Sequence, residues 1–175
     1  LGEAQIRVIT PDVGGGFGLK AVLYPEEAVT AFAAYRLGRA VRWLGDRLED
    51  MVGTMHGRDV VTYVEGAADA EGRLIGLRVR SYFSLGAHLF FYSCLPPSRT
   101  LNLAPGPYRV EHFEGESWGV YTNTIGTGPY RGAGRPEAAL IVDRVLDAIA
   151  AEMGIDPVVI RERNLIRAEE YPYTS

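Results

Sequence analysis

The spacing of apolar residues changes along the chain, and each change predicts a different element. Apolar positions recur at helical spacing over 25–37, where Pro25 opens the run and Gly38 ends it. A longer helical run with one broad apolar face covers 136–153, and a short helix follows over 157–164. These runs predict two main helices and a minor one.

Strict alternation of apolar and polar residues predicts strands in the middle of the chain. Alternation over about 57–85, broken by an Asp-Ala-Glu-Gly turn at 69–72, is typical of a long β-hairpin. It returns over 108–122, and 40–44 is a further short strand candidate. The aromatic and proline-rich stretch 86–109 indicates ordered loop or short helix.

The predicted fold class is α+β. We expect a mixed β-sheet with hairpins, on which the two main helices, about 25–37 and 136–153, pack. A chain of 175 residues, 47% of them hydrophobic, is long enough for one domain with a sizeable core. Because the chain opens on Leu1 and stops directly after a helical pattern, we interpret 1–175 as a single domain or a fragment of a longer protein.

Charge and composition exclude several classes of protein. The net charge is −4 and the basic residues are scattered, so no electrostatic surface for nucleic acid is predicted. The sequence has neither an apolar run of ~20 residues nor a signal pattern, which favours a cytoplasmic protein without a membrane span. Cys94 is the only cysteine, which excludes an internal disulfide and an iron–sulfur cluster held by this chain alone.

Glycine is concentrated in two segments. The first, Thr-Pro-Asp-Val-Gly-Gly-Gly-Phe-Gly-Leu-Lys at 10–20, has four glycines within five positions. Glycine tolerates positive φ, so successive backbone N–H groups can converge on one anionic acceptor. A flexible loop or turn is the alternative, but Phe17 and the Pro-Asp pair at 11–12 indicate a shaped loop.

The second glycine-rich segment is Gly-Thr-Gly-Pro-Tyr-Arg-Gly-Ala-Gly-Arg at 126–135. Each segment leads into a helix that begins with Pro-Glu, so one site between the two loops is the simplest hypothesis. Arg131 and Arg135 have the planar donors that suit an oxo-anion, although solvated surface arginines remain the alternative.

Two familiar glycine motifs fit the first segment poorly. A P-loop requires Gly-Lys-Ser/Thr, whereas Lys20 lies between Leu19 and Ala21. A dinucleotide-binding motif of the Rossmann type can be drawn over 16–21 after a strand-like 6–9, but the helix begins only at Pro25. The Rossmann interpretation is therefore kept as the weaker alternative.

Three segments in this order and spacing resemble a known family. They are Pro-Asp-Val-Gly-Gly-Gly-Phe-Gly-Leu-Lys at 11–20, Tyr-Pro-Glu-Glu at 24–27 and Tyr-Arg-Gly-Ala-Gly-Arg-Pro-Glu-Ala at 130–138. They resemble the molybdenum-binding large subunit of the xanthine dehydrogenase, aldehyde oxidase and aerobic carbon monoxide dehydrogenase family of molybdenum hydroxylases. The resemblance covers essentially the whole chain but only the first part of the molybdopterin-binding region of such a subunit.

The resemblance implies an oxidoreductase that hydroxylates an aldehyde or an N-heterocycle with water as the oxygen source. It implies a molybdenum–molybdopterin cofactor, in its cytosine dinucleotide form, with 2Fe–2S clusters and FAD on partner chains. The implied partners are the rest of the large subunit, an iron–sulfur subunit and an FAD subunit. Alone, the fragment is expected to bind none of these cofactors, to be inactive and to self-associate through apolar surface exposed around 86–109.

The resemblance also assigns site residues. Arg131 is implied as the catalytic residue, and no residue of this chain is implied as a metal ligand. The residues implied to contact the cofactor are Gly15, Gly16, Phe17, Gly18, Arg131, Gly132 and Ala133.

Two departures from the family pattern narrow the expected chemistry. Carbon monoxide dehydrogenases proper carry a cysteine where this chain has Gly132, which disfavours copper–molybdenum chemistry. Xanthine-oxidising members usually carry an aromatic residue where this chain has Ala133, so an aldehyde or small heterocycle is favoured over a purine. A stand-alone, non-catalytic binding or interaction domain of the same fold remains the alternative function.

Overall fold

A three-stranded sheet organises the chain in our computed structural model, which describes residues 1–173. The α+β class predicted from the sequence is confirmed. The helices are α1 (Pro25–Leu37), α2 (Arg47–Gly53), α3 (Leu95–Leu103), α4 (Arg135–Met153) and α5 (Pro157–Asn164), and the strands are β1 (Val60–Ala68), β2 (Leu74–Gly86) and β3 (His112–Tyr121).

The predicted long hairpin is β1 paired antiparallel with β2, in a register that runs from Val60 opposite Phe83 to Ala68 opposite Leu74. Its turn is held by the Asp69 carboxylate, which accepts hydrogen bonds from backbone N–H groups two and four residues later at 3.0 and 2.8 Å. An aspartate that accepts hydrogen bonds within its own turn in this way is a common turn former, which is why the sequence pattern was sufficient to predict the hairpin.

The third strand, β3, pairs with β2 in parallel. A parallel neighbour requires a connection that crosses back over the sheet, and α3 lies in that connection. The prediction of loop or short helix in 86–109 is therefore confirmed, and β2 becomes the central strand.

The core lies between the inner face of the sheet and α4. Leu77 and Val79 of β2 belong to one buried cluster with the apolar face of α4 and with Ile160 of α5. Apolar residues three and four positions apart share one helix face, which is why α4 buries a continuous stripe. The buried stripe of α4 consists of Ala138, Ile141, Val142, Val145, Leu146 and Ala150.

The buried side chain of Asn164 joins α5 to the hairpin. Its amide NH₂ donates to the carbonyls of Gly72 and Ile160 at 2.9 and 2.8 Å, and its oxygen accepts from the N–H of Leu74 at 2.7 Å. Every polar atom of this buried amide therefore has a partner, as burial of a polar group requires.

An ion-pair cluster joins α4 to α5. The Arg161 guanidinium donates to Asp143 (Nε to Oδ1, 3.1 Å) and approaches Asp147 (2.8 Å). The hydrogen bond from Arg161 lowers the pKa of Asp147 below its ordinary value of 3.8. Tyr108 donates its hydroxyl to Asp143 at 2.9 Å. Burial raises the pKa of Tyr108, and this hydrogen bond raises the pKa further.

The structure differs from expectation in the packing of α1. The helix forms over the predicted residues, with Pro25 in its first turn and Gly38 in the left-handed region at its end, but none of its residues is buried. Val29, Phe32 and Tyr35 are 64%, 63% and 61% exposed. Local signals are enough to start and stop a helix, whereas burial needs an apolar partner, and the described residues supply none for α1.

The predicted strand at 40–44 is wrong, since these residues form no regular structure. A strand is stabilised by hydrogen bonds to a neighbouring strand, and none of the strands described over 1–173 pairs with this segment.

Candidate functional site

The two glycine-rich loops, although more than a hundred positions apart, lie in direct contact. The N–H of Arg131 in the second glycine loop (126–135) donates to the carbonyl of Phe17 in the first glycine loop (10–20) at 2.9 Å. Gly18 lies so close to the second loop that a Cβ on it would be 2.3 Å from the carbonyl oxygen of Pro129. The fold therefore brings together the two segments that the sequence singled out.

The first glycine loop lacks the surroundings of a dinucleotide-binding motif. The strand-like residues 6–9 belong to none of the strands described, and a 3-10 turn at Leu19–Ala21 follows the glycines where a Rossmann fold would begin its helix. The Rossmann alternative is therefore wrong.

The second glycine loop is anchored on the end of β2. The N–H of Thr127 donates to the carbonyl of Leu85 at 3.4 Å, and the Thr127 hydroxyl donates to the carbonyl of Ser84. Ser93, in the connection to α3, donates its hydroxyl to the Thr127 carbonyl at 2.6 Å. Because residues 126–129 are buried, this part of the loop is a fixed base.

A third segment, 55–58, lies against the second glycine loop. The N–H of His56 donates to the carbonyl of Gly126 at 3.1 Å, and the N–H of Gly128 donates to the carbonyl of His56 at 2.8 Å. The sequence interpretation assigned no site role to this segment. The sequence did carry a signal there, since His-Gly-Arg-Asp at 56–59 is among the stretches that resemble the family.

Arg58 is the side chain through which segment 55–58 reaches the second loop. Its guanidinium donates to the carbonyl of Arg131 and lies 4.6 Å from the ring centroid of Tyr130. Its Nε is 3.6 Å from Oε1 of Glu137 in the first turn of α4. The side chain of Glu137 is only 10% exposed, so Arg58 supplies the cation that a buried carboxylate requires.

Tyr24 fixes the far end of the first glycine loop. Its hydroxyl donates to the carbonyl of Leu19 at 2.8 Å and accepts from the N–H of Met55 at 3.2 Å. Burial raises the pKa of Tyr24, which keeps the hydroxyl protonated and able to donate at neutral pH. The loop is thus tied to segment 55–58 from this side as well.

An open groove of about 570 Å³, which we call the site groove, lies between the first glycine loop, α2 and segment 55–58. Lys20, Arg47 and Arg58 contribute positive charge to its lining, and Asp50 contributes negative charge. Its lining residues from the two glycine loops are Gly15, Gly16, Phe17, Leu19, Lys20 and Tyr130.

The first glycine loop presents unused backbone donors. Within the described part of the chain, the N–H groups of Gly15, Gly16, Phe17 and Gly18 have no hydrogen-bond acceptor. Gly15, Phe17 and Gly18 have positive φ values of 142°, 50° and 94°. Unpaired amides on such a backbone are suited to bind oxygen or sulfur acceptors of an anionic group.

The second glycine loop divides its arginines between two roles. Arg135 donates to the carbonyl of Gly132 at 3.3 Å, so its guanidinium is used within the loop. The Arg131 guanidinium is exposed and has no hydrogen bond or ion pair to residues 1–173. Ala133 donates its N–H to the carbonyl of Tyr130 at 2.7 Å, which closes the turn that contains Gly132.

Residues 1–173 contain neither a cluster of metal ligands nor a membrane-spanning helix. Residues 1–173 contain no group of three or more His, Cys, Asp or Glu side chains placed to hold a metal ion. In the same range, no helix combines the length and the apolar character needed to cross a bilayer.

Comparison with known proteins gives one family for nearly the whole chain. The profile of the molybdopterin cofactor-binding domain matches residues 1–165. The chain is 37% identical over 174 residues to the gamma subunit of the 6-hydroxypseudooxynicotine dehydrogenase complex of Paenarthrobacter nicotinovorans, covering 99% of this chain and 22% of that protein. It is 35% identical over 179 residues to the carbon monoxide dehydrogenase large chain of Hydrogenophaga pseudoflava, with the same coverage.

A solved structure agrees with these relatives. Quinoline 2-oxidoreductase from Pseudomonas putida 86 superposes with a TM-score of 0.89 at 35% identity, covering 94% of this chain and 21% of that chain. The chain therefore spans about a fifth of the length of the proteins that it matches. The resemblance deduced from the sequence is confirmed.

Proposed function

Because the chain belongs to the molybdopterin cofactor-binding domain family, we propose that its two glycine loops form one wall of a molybdenum–molybdopterin site. The observation that carries this proposal is the hydrogen bond between Arg131 and Phe17, which joins the two loops beside the site groove. Since the matched relatives are several times longer, the remaining walls would come from segments outside this sequence.

The residues present fit such a group. The free N–H groups of Gly15, Gly16, Phe17 and Gly18 would donate to its oxygen and sulfur atoms without any cost in side-chain entropy. On the second loop, Arg131, with Gly132 and Ala133 beside it, would face the same group. When bound, the molybdenum–pterin group supplies two-electron redox chemistry that the residues of the two glycine loops cannot supply.

The proposed reaction replaces a C–H bond of the substrate by a C–OH bond. Water provides the oxygen, and two protons and two electrons are released for each product molecule. We propose that iron–sulfur and flavin partner subunits accept these electrons and that the pterin is the cytosine dinucleotide form. In this chain, the backbone donors orient the reacting group, and the Arg131 cation stabilises negative charge that develops in the transition state.

The proposed substrate class is an aldehyde or an N-heterocycle. Two of the similar proteins are named for such compounds, quinoline and 6-hydroxypseudooxynicotine. Ala133 has a small side chain where a larger one would narrow the proposed site, and Gly132 offers no thiol that could bind copper. Both residues support organic hydroxylation over a copper–molybdenum reaction.

The experiment uses the full-length subunit that contains this segment, purified with its partner subunits. We expect molybdenum and pterin near one equivalent per subunit, and hydroxylation of quinoline-type substrates or aldehydes with ¹⁸O taken from labelled water. Arg131→Ala should lower turnover ~100-fold while molybdenum content and folding are retained, because a charge near the reacting atoms is lost.

The control is Arg144→Ala, which removes an exposed arginine of α4 whose partner is Asp147. Equal turnover in wild type and Arg131→Ala would remove Arg131 from the site. A folded full-length protein without molybdenum, from cells supplied with molybdate, would instead favour the non-catalytic binding domain.

A further inference from the structure

We propose that Arg58 is a positioning residue that holds the second glycine loop in its place against the first. The inference rests on the proposed function for what the loop binds. How firmly the loop is held is a property of this chain, and it can be measured without any cofactor.

The backbone of Arg131 is held from both sides. Its N–H donates to the carbonyl of Phe17, and its carbonyl accepts from the Arg58 guanidinium. The two peptide units that flank the Arg131 Cα are therefore each held by one hydrogen bond, while the Arg131 side chain makes no hydrogen bond to residues 1–173. A loop whose functional side chain must point in one direction needs this kind of support.

An arginine suits the surroundings of this position better than a lysine. The planar guanidinium lies 4.6 Å from the Tyr130 ring centroid while it also reaches the Arg131 carbonyl and the Glu137 carboxylate. Stacking and a fork of several donors are properties of guanidinium that an ammonium group lacks. The Arg58 side chain is 33% exposed, so these interactions are partly shielded from water.

The backbone at this position is shaped around the second loop. Arg58 has a φ of 60°, which is unusual for a residue with a side chain. A Cβ at the preceding Gly57 would lie 2.6 Å from the Cβ of Tyr130. A strained backbone persists where the surrounding contacts determine it, and the Arg58 side chain interacts with Tyr130, Arg131 and Glu137.

A competing explanation is that Arg58 only neutralises the buried carboxylate of Glu137. Under that explanation, removing both charges would restore the loop. Under the positioning role, the loop would stay loose, since the donor to the Arg131 carbonyl would still be missing. The paired variant Arg58→Met/Glu137→Gln separates the two explanations.

The measurement is hydrogen–deuterium exchange of peptides covering 126–135. It uses the full-length subunit with its partners, from cells grown without molybdate. We expect exchange in these peptides to quicken ~10-fold in Arg58→Met, because the loop opens locally more often. Exchange should stay close to wild type in Glu137→Gln and remain fast in the paired variant. Arg78→Met, which removes a paired arginine on the outer face of the sheet, is the matched control.

Wild-type exchange in Arg58→Met, or recovery in the paired variant, would overturn the inference. If Arg58→Met does not fold, Arg58→Lys carries the test, with intermediate exchange expected and wild-type exchange contradicting the proposal. Suppose that the loop exchanges faster in Arg58→Met, but that wild-type protein from cells supplied with molybdate contains no molybdenum. The role of Arg58 would then be supported and the proposed function contradicted, so the two proposals can fail separately.

Discussion

At the scale of single residues, the space around each glycine of the first loop decides whether a side chain fits. Gly18 has a φ of 94° and lies against the carbonyl of Pro129, whereas Gly14 has no atom within 4 Å of the position of a Cβ. The two glycines, four positions apart, therefore have different physical roles. Gly18 permits the contact between the loops, whereas Gly14 takes no part in it.

We expect Gly18→Ala to lower the free energy of unfolding by about 2 kcal/mol, since the new methyl group would require a strained φ and would push the loops apart. Gly14→Ala should change it by less than about 0.5 kcal/mol. Thermal unfolding of the full-length protein checks the pair. Equal effects of the two substitutions would mean that the close approach at Gly18 is unimportant.

The residues of the candidate site differ in how far the sequence reveals them. The glycine loops are visible because their composition is unusual within a short window, and Arg131 is visible because it lies inside one. Arg58 and Tyr24 act on residues or segments distant in the sequence, with Arg58 bonding Arg131 and Tyr24 bonding Met55. No periodicity or local composition encodes such contacts, so they required coordinates.

At the scale of elements, local sequence signals predict which helices and strands form, but they do not predict which elements these pack against. The hairpin β1–β2, α1, α4 and α5 follow from local signals, and they form as predicted. The parallel pairing of β3 with β2 does not follow, since alternation marks a strand without naming its neighbour. The segment 40–44 has a strand pattern and no partner among the described strands, and it remains irregular.

The ion-pair cluster between α4 and α5 predicts an acid-sensitive contact. Asp147 binds its proton less tightly when folded, so its interaction with Arg161 stabilises the fold above pH 3.8. That contribution is lost as the pH falls through the lower folded-state pKa. We expect Asp147→Asn to lose stability at pH 6 and to show a shallower decline below pH 4 than wild type.

Urea unfolding at a series of pH values measures this difference. Glu152→Gln, on the same helix but outside the cluster, is the control and should keep the wild-type slope. If Asp147→Asn and wild type lose stability in parallel below pH 4, the interaction of Asp147 with Arg161 does not contribute.

At the scale of the whole molecule, apolar surface is concentrated in the first third of the chain. Ile6, Val8 and Ile9 are more than half exposed, as are the large apolar side chains of α1. Phe91 and Leu89 are 85% and 49% exposed, so the predicted apolar surface around 86–109 is present. More of the exposed apolar residues lie in the first third of the chain. Exposed apolar area on this scale marks a surface for association.

We therefore expect residues 1–175, produced alone, to self-associate and to bind molybdenum far below one equivalent. Light scattering during size-exclusion chromatography, over a range of concentrations, measures the association. Phe32→Ser/Tyr35→Ser on α1 should weaken it, because apolar area is removed, whereas Arg144→Ser should not. A monomer at high concentration, or full molybdenum occupancy, would contradict this expectation.

The contact of 126–131 with both 55–58 and the first glycine loop also has a consequence in time. Loops that meet across more than a hundred positions close late, because chain entropy opposes long-range closure until the intervening elements have formed. During synthesis on the ribosome, the first glycine loop could form its contacts with the second only after the second has emerged. We expect maturation to be ordered accordingly, with cofactor insertion after, and never during, translation of this stretch.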